Sequence, residues 1–304
     1  MTKILICDDV ADEAIKKMED AGFEVVKKIG LDEAALIETV PGFDAMVVRS
    51  KTKVTANVIK AMDTMKVIAR GGVGLDNIDQ NYIKENNLDI KVVNTPAASS
   101  DSVAELVIGH MFGLARFIPW GNEQIKKGEW PKKKMKGVEL GGKTLGIIGI
   151  GRIGQEVAKR ATALGMTCLA WDLYITKSPI PDIVTMQSKD ELLAKSDFIT
   201  LHIPFIAKEG ATLKADDFSK MKDGVFIVNA ARGGTIDEKA LLDALNSGKV
   251  CRVALDVFEK EPLQDDNIRN HPNIYLSPHI GASTVEGQFR VGMEVAEKLI
   301  DELK

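Results

Sequence analysis

A chain of 304 residues, 45% hydrophobic and 28% charged, is long enough to bury two cores of ordinary size. Its formal net charge of −4 argues against general nucleic-acid binding, which needs a basic excess; the one basic cluster, Lys132, Lys133, Lys134 and Lys136, is small. No apolar run reaches the ~18 residues of a membrane-crossing helix, and Ile4-Leu5-Ile6-Cys7 is too short for a signal peptide.

The predicted elements alternate between strand and helix, the pattern of an α/β protein with parallel sheets. Lys3–Cys7 reads as a strand and Asp12–Ala21 as a helix closed by Gly22. Strand Phe23–Lys27, helix Asp32–Thr39, strand Ala45–Arg49, helix Ala56–Met62 and strand Lys66–Ala69 follow. Gly71-Gly72-Val73-Gly74 turns towards a helix at Gln80–Asn86, and Lys91–Asn94 is a further strand. These pieces make a small doubly wound unit.

Ser99, Ser100, Asp101 and Ser102 are good cap residues for a long apolar helix from Val103 to about Ile118. The polar stretch Pro119 to Gly142, with Trp120 and Trp130, reads as a connection or exposed arm. A second alternation then begins. Its strands are Leu145–Ile150, Thr167–Trp171, Phe198–His202, Val225–Asn229, Arg252–Asp256 and Ile274–Ser277. Its helices are Ile153–Leu164, Asp190–Ala194, Ala215–Lys220 and Glu238–Asn246, and the last 20 residues form an amphipathic helix. The expectation is two doubly wound parallel-sheet domains, one of residues 1–98 with 282–304 and one of 99–281. Cys7, Cys168 and Cys251 lie in or beside apolar runs with no CxxC spacing, which fits buried free thiols in a reducing cytosol. No metal is expected.

Residues 145–154, LGIIGIGRIG, carry Gly149, Gly151 and Gly154 in a G-x-G-x-x-G pattern between a strand and a helix. Asp172 ends the next strand, close to the ~20-residue spacing of a dinucleotide fold. The glycines allow a tight turn and a close backbone approach, with pyrophosphate at the helix N-terminus. Asp172 would accept the ribose hydroxyls and repel a phosphate, so NAD is the expected cofactor. Gly71–Gly74 also follows a strand, but no acid ends the next one.

The stretch VFIVNAARGGTID raises a question, because an apolar strand ends in Arg232 beside two glycines. A buried charge without a partner is costly, so the arginine reaches water or waits for an anion. Its planar fork suits a carboxylate. Among four histidines, His110 lies inside an apolar helix and reads as a satisfied core histidine, and His271 as solvated. His202 and His279 each end a strand at the carboxyl edge, where ligands of such sheets bind. Glu261 or Glu259 would stand behind the imidazole, and spacing does not choose between them. Together these residues describe a hydride-transfer site: an arginine for a substrate carboxylate, a histidine for a carbonyl proton, and a carboxylate behind it.

GIGRIGQEVA, NAARGG, DVFEKEP and SPHIGAST resemble the D-isomer-specific 2-hydroxyacid dehydrogenases, as do VVRSKTKVT, ARGGVGLDNID and NTPAASSDSVAE, so the likeness covers nearly the whole chain. The resemblance implies a Rossmann-type cofactor domain and a flavodoxin-like substrate domain, with Arg232, Glu261 and His279 as the catalytic set. It implies NAD contacts at Arg152, Ile153, Asp172, Ala230, Ala231, Arg232, Asp256, His279 and Gly281. The nicotinamide would lie near His202, Ile203, Pro204 and Val73; the family often has a small or hydroxylated residue where Val73 and Ile203 stand. Arg49, Ser50, Arg70, Val73 and Gly74 would line the substrate side, with Arg49 and Arg70 suited to a phosphate. The implied reaction is oxidation of D-3-phosphoglycerate to 3-phosphohydroxypyruvate in serine biosynthesis, by a cytoplasmic homodimer joined through its cofactor domains. Glycerate with hydroxypyruvate or glyoxylate is the alternative substrate class. A nucleotide-sensing binding protein, like the co-repressors that share this fold, is a reading of another kind. With 25 residues after His279, a C-terminal regulatory domain is not expected.

Overall fold

The computed structural model describes residues 1–181, 183–186 and 188–304. They divide into two compact units, Met1–Ser100 with Ala282–Lys304, and Asp101–Gly281.

The first unit alternates β1 (Lys3–Ile6), α1 (Asp12–Asp20), β2 (Glu24–Lys27), α2 (Glu33–Thr39), β3 (Ala45–Val48), α3 (Ala56–Lys60), β4 (Val67–Arg70), α4 (Gln80–Glu85) and β5 (Lys91–Asn94). The strands are parallel in the order β2-β1-β3-β4-β5. All four residues of β3, Ala-Met-Val-Val, are buried, as a strand covered by helices on both faces requires. Short helices start where a side chain satisfies an orphan N–H: Asp32 accepts from Ala35, Thr55 from Val58 and Asp79 from Tyr82.

The second unit runs α5 (Ser100–Arg116), α6 (Ile118–Lys126), β6 (Thr144–Ile148), α7 (Arg152–Ala163), β7 (Thr167–Trp171), β8 (Val184–Thr185), α8 (Lys189–Lys195), β9 (Phe198–Leu201), α9 (Ala215–Lys220), β10 (Val225–Asn229), α10 (Glu238–Asn246), β11 (Val250–Leu255), α11 (Asp266–Arg269) and β12 (Ile274–Leu276). Its parallel strands lie in the order β12-β11-β10-β9-β6-β7-β8. Strand order reverses between β6 and β9, as it does between β1 and β3 in the first unit. Ligands of such sheets bind at that point, beyond the strands' carboxyl ends. The chain then returns to the first unit as α12 (Val285–Leu303), which packs Val295, Ala296 and Leu299 against Ile4, Ile6 and Met18.

One helix was expected from Val103 to about Ile118, with an irregular arm after it. The chain instead makes two helices bent by 62°. Phe117 is left-handed (φ 59°), and Pro119 stands in the first turn of α6. A continuous helix would drive the Pro119 ring into a carbonyl one turn back. Arg252 braces the break, with its guanidinium 3.5 Å from the Phe117 ring centroid and Nη1 donating to the Leu114 carbonyl at 2.8 Å. Trp120 packs against the core, whereas Trp130 is 79% exposed. The short elements β8 and α11 had no expected counterpart, since two and four residues carry no readable periodicity. No single helix among the described residues is long and apolar enough to cross a membrane. Cys7 and Cys168 are buried and Cys251 is partly so, all three as free thiols; burial and then the Asp8 charge push Cys7 up to about 12.

Candidate active site

The second unit's glycine loop is shaped by close approach. Gly149 sits at φ 96°, where a Cβ would stand 2.6 Å from the His202 carbonyl oxygen. At Gly154 a Cβ would stand 2.1 Å from the Gly149 carbonyl oxygen. Gly151 is different: it precedes α7, makes no side-chain cap, and a Cβ there would meet nothing within 4 Å. This leaves the first N–H groups of α7, at Arg152, Ile153 and Gly154, without a capping side chain at the edge of open space, the arrangement that receives a phosphate. Asp172 follows β7 directly and steadies the same loop. Its Oδ2 accepts from Ile150 N–H at 3.0 Å, and its Oδ1 from Tyr174 and Ile175 N–H at 2.9 and 3.1 Å. These residues could hold a dinucleotide, which would put its pyrophosphate over Gly151 and its ribose hydroxyls at Asp172.

His202 follows β9. Its Nε2 lies 3.0 Å from Thr200 Oγ1, and its Nδ1 is sealed from solvent without a hydrogen-bond partner. Burial pushes this imidazole down to about 3, so it is neutral at physiological pH. Ile203 is half-buried and Pro204 exposed beside it.

The loop after β10 is wound around buried Asn229. Its Oδ1 accepts from Ala231 N–H at 3.1 Å, and its Nδ2 donates to the Arg232 carbonyl at 3.2 Å and to Thr235 Oγ1 at 3.0 Å. Gly233 follows Arg232 because a Cβ there would stand 1.7 Å from the Phe258 carbonyl oxygen. The two loops therefore touch backbone to backbone, and half-buried Arg232 comes close enough to act electrostatically on Glu261. Arg232 Nη1 donates to the Ala231 carbonyl at 2.6 Å, and Ala230 and Ala231 are buried.

Glu261 is the carboxylate behind the imidazole: its Oε2 lies 2.7 Å from His279 Nδ1. Its Oε1 accepts from Phe258 N–H at 3.2 Å. Burial pushes the Glu261 carboxyl up, but the His279 hydrogen bond and charge, the Phe258 N–H and Arg232 outweigh it, so the net shift is downward. Glu259 is turned elsewhere, accepting from Glu238 N–H at 3.3 Å and donating its own N–H to Glu238 Oε1 at 2.8 Å.

His279 is held at φ 53° by Asp256, which is 1% exposed at the end of β11. Asp256 Oδ1 accepts from Ile280 N–H and Oδ2 from Gly281 N–H, both at 2.9 Å. Ser277 Oγ donates to Oδ1 at 2.5 Å, and His110 Nε2 lies 2.9 Å from the same hydroxyl. His110 is thus satisfied, as expected, but only partly inside the core. It is half-buried and polar-bonded, and helical spacing shows which residues share a face without showing which loop that face meets.

In the first unit, Arg49 and Ser50 follow β3 beside the strand-order reversal. Buried Asp8 accepts from Arg49 N–H at 2.5 Å and Thr52 N–H at 3.2 Å, and Asn77 Nδ2 donates to the Arg49 and Thr52 carbonyls, each at 2.7 Å. The glycine turn after β4 is tightly occupied: a Cβ at Gly72 would stand 1.8 Å from Arg70 Nη1. Asn94 Nδ2 donates to the Val73 carbonyl at 2.5 Å, and Gly74 is half-buried. Asp8 and Asn77 were not singled out from the sequence; the signal for Asp8 was its place just beyond β1 at that reversal. Among the described residues no group of three or more His, Cys, Asp or Glu is placed to hold a metal ion.

The family model of the D-isomer specific 2-hydroxyacid dehydrogenase NAD binding domain matches residues 108–281. The D-3-phosphoglycerate dehydrogenase of Archaeoglobus fulgidus is 46% identical over 304 residues, covering 99% of this chain and 57% of that protein. The hydroxypyruvate reductase of Thermotoga maritima is 50% identical over 276 residues, covering 90% of this chain and 89% of that protein. A glyoxylate reductase structure from Paecilomyes thermophila superposes with a TM-score of 0.87 at 33% identity, covering 98% of this chain and 94% of that one. The chain belongs to the D-isomer specific 2-hydroxyacid dehydrogenases, and residues 108–281 are that family's NAD binding domain. It spans little more than half the length of the phosphoglycerate dehydrogenases it matches.

Proposed function

We propose that this chain is an NAD-dependent D-2-hydroxyacid dehydrogenase that oxidises D-3-phosphoglycerate to 3-phosphohydroxypyruvate. The observation that carries the reading is the 2.7 Å contact between Glu261 Oε2 and His279 Nδ1, with Arg232 at its side, on the unit whose glycine loop is open to a dinucleotide. Bound NAD supplies the hydride acceptor. Glu261, held ionised, accepts from Nδ1–H and leaves His279 Nε2 free to take the hydroxyl proton in oxidation. In the reverse direction the protonated imidazole returns it to the carbonyl oxygen. Arg232 offers its fork to the α-carboxylate and orients the carbon that loses hydride. Asp172 favours NAD over NADP because a 2′-phosphate would meet a carboxylate.

Arg49 and Arg70 supply cations for the substrate's phosphate, and the Asp8 and Asn77 bonds hold the Arg49 loop in one shape. Relatives named D-3-phosphoglycerate dehydrogenase at 46% and 47% identity support that substrate. A second reading, reduction of hydroxypyruvate, rests on the Thermotoga maritima relative, whose length this chain nearly matches. The enzyme works in the cytoplasm as a homodimer through the NAD binding unit, where exposed Trp130, Ile118 and Ile125 offer apolar area for a partner copy. NADH oxidation with phosphohydroxypyruvate, hydroxypyruvate and glyoxylate separates the readings. The highest kcat/KM is expected for phosphohydroxypyruvate. Preference for hydroxypyruvate moves the assignment to the second reading, and binding of NADH without turnover of any keto acid overturns both.

A further inference from the structure

Taking His279 as the proton carrier, we infer that His110 and Ser277 are positioning residues for it. The His110 ring pins the Ser277 hydroxyl, and that hydroxyl orients the Asp256 carboxylate that fixes the turn carrying His279.

A serine hydroxyl has one proton and two lone pairs. At 2.5 Å from Asp256 Oδ1, the Ser277 hydroxyl uses that proton to donate a hydrogen bond to the carboxylate. Its oxygen is then left to accept, so His110 Nε2, 2.9 Å away, must be the donor and Nδ1 carries no proton. Burial lowers the His110 pKa against the opposing Asp256 charge, consistent with a neutral ring in this single tautomer.

The carboxylate at the end of this chain of bonds is 1% exposed, so water cannot replace a lost donor freely. Its two oxygens hold the two N–H groups that immediately follow His279. Those bonds keep a non-glycine residue in the left-handed region, which L side chains adopt only when their surroundings enforce it. Rotation of the Asp256 carboxylate would weaken both bonds together and let the imidazole drift from Glu261. His110 thus ties α5 to a turn 167 residues further along the chain.

The experiment is a double-substitution cycle on the full chain, read by kcat for keto-acid reduction and, without ligands, by amide hydrogen exchange. Ser277→Ala is expected to lower kcat ~10-fold and His110→Leu ~3-fold, as small losses of orientation do. Because His110 acts through Ser277, the double variant should match Ser277→Ala alone. Exchange at Ile280 and Gly281 should quicken in each variant while the amides of β6 and α7 keep their rates. His110→Gln, which retains an N–H donor, should return kcat and exchange close to the starting protein. Should His110→Leu fail to fold, His110→Met against His110→Gln asks the same question at matched length. Fully additive losses, or unchanged exchange at Ile280 and Gly281, overturn the proposal. If the starting protein turns over no keto acid, the proton-carrier reading falls instead, and exchange still tests whether His110 and Ser277 hold the turn.

Discussion

Both units send a glycine-rich turn off the carboxyl end of a buried parallel strand, yet the two turns are built for opposite purposes. After β6, Gly151 opens onto empty space and α7 begins without a side-chain cap, so the turn is ready for an anion from outside. After β4, the space at Gly72 is taken by the Arg70 guanidinium, and the space at Gly71 by Val291 and Arg49. The residue ending the next strand differs to match. Asp172 accepts N–H groups of the open turn and its own loop, whereas Asn94 donates to the carbonyl of Val73. A glycine spacing therefore marks a backbone that must approach something closely; whether that something is a cofactor or the protein's own arginine depends on what surrounds it.

The comparison breaks most visibly at the proposed proton carrier. His279→Ala should lower kcat ~10²–10⁴-fold, the usual worth of a positioned acid or base, while leaving NADH binding intact. Stopped-flow turnover beside fluorescence titration of NADH would show it; a kcat within tenfold of the starting protein would return the role to water or another group. Replacing one glycine in each turn comes next. Gly149→Ala forces a Cβ towards the His202 backbone at positive φ and should cost about 1–3 kcal/mol in stability, with NADH affinity falling in step. Gly72→Ala meets the movable end of Arg70 and also strains a backbone held at φ 137°, so it should cost stability and raise KM for the acid while sparing NADH affinity. Equal loss of NADH affinity in both would end the distinction between the turns.

A smaller effect is expected at Asp172. Its replacement by alanine should narrow the preference for NAD over NADP by ~10-fold or more, the worth of a charged hydrogen bond, measured as the ratio of kcat/KM values. The smallest effects are in pH. His202 has an ordinary value of 6.5 and is held at about 3, so the unfolded chain takes up its proton first. Its stabilising contribution is complete above 6.5 and is lost as pH falls towards 3. Glu261 is held below its ordinary 4.5, so its contribution is present above that value and is lost only on further acidification. Thermal melts across pH should therefore flatten over the wider interval in His202→Gln, but only below 4.5 in Glu261→Gln; identical acid limbs in all three proteins would contradict both assignments.

Much of this was readable in the chain itself. Strands covered on both faces announce themselves as apolar runs such as Ala45–Val48 and Val225–Asn229, and caps such as Asp32 and Thr55 mark helix starts by local bonding. The spacing of Gly149, Gly151, Gly154 and Asp172 was equally local, because one strand, one turn and one helix set it. Tertiary structure decided the rest. Glu261 rather than Glu259 faces His279 because the loops after β10 and β11 meet at Gly233, a contact between segments far apart in sequence. The helix expected to run on to Ile118 breaks at Phe117 because Pro119 refuses the next turn and Arg252, 135 positions away from that phenylalanine, stacks over the break. His110 looked like core because helical periodicity records which residues share a face; only the packed fold placed Ser277 and Asp256 against that face. Backbone propensity and burial act over a few residues and leave their trace in the sequence, whereas hydrogen-bond partners across long separations are chosen when the sheets assemble.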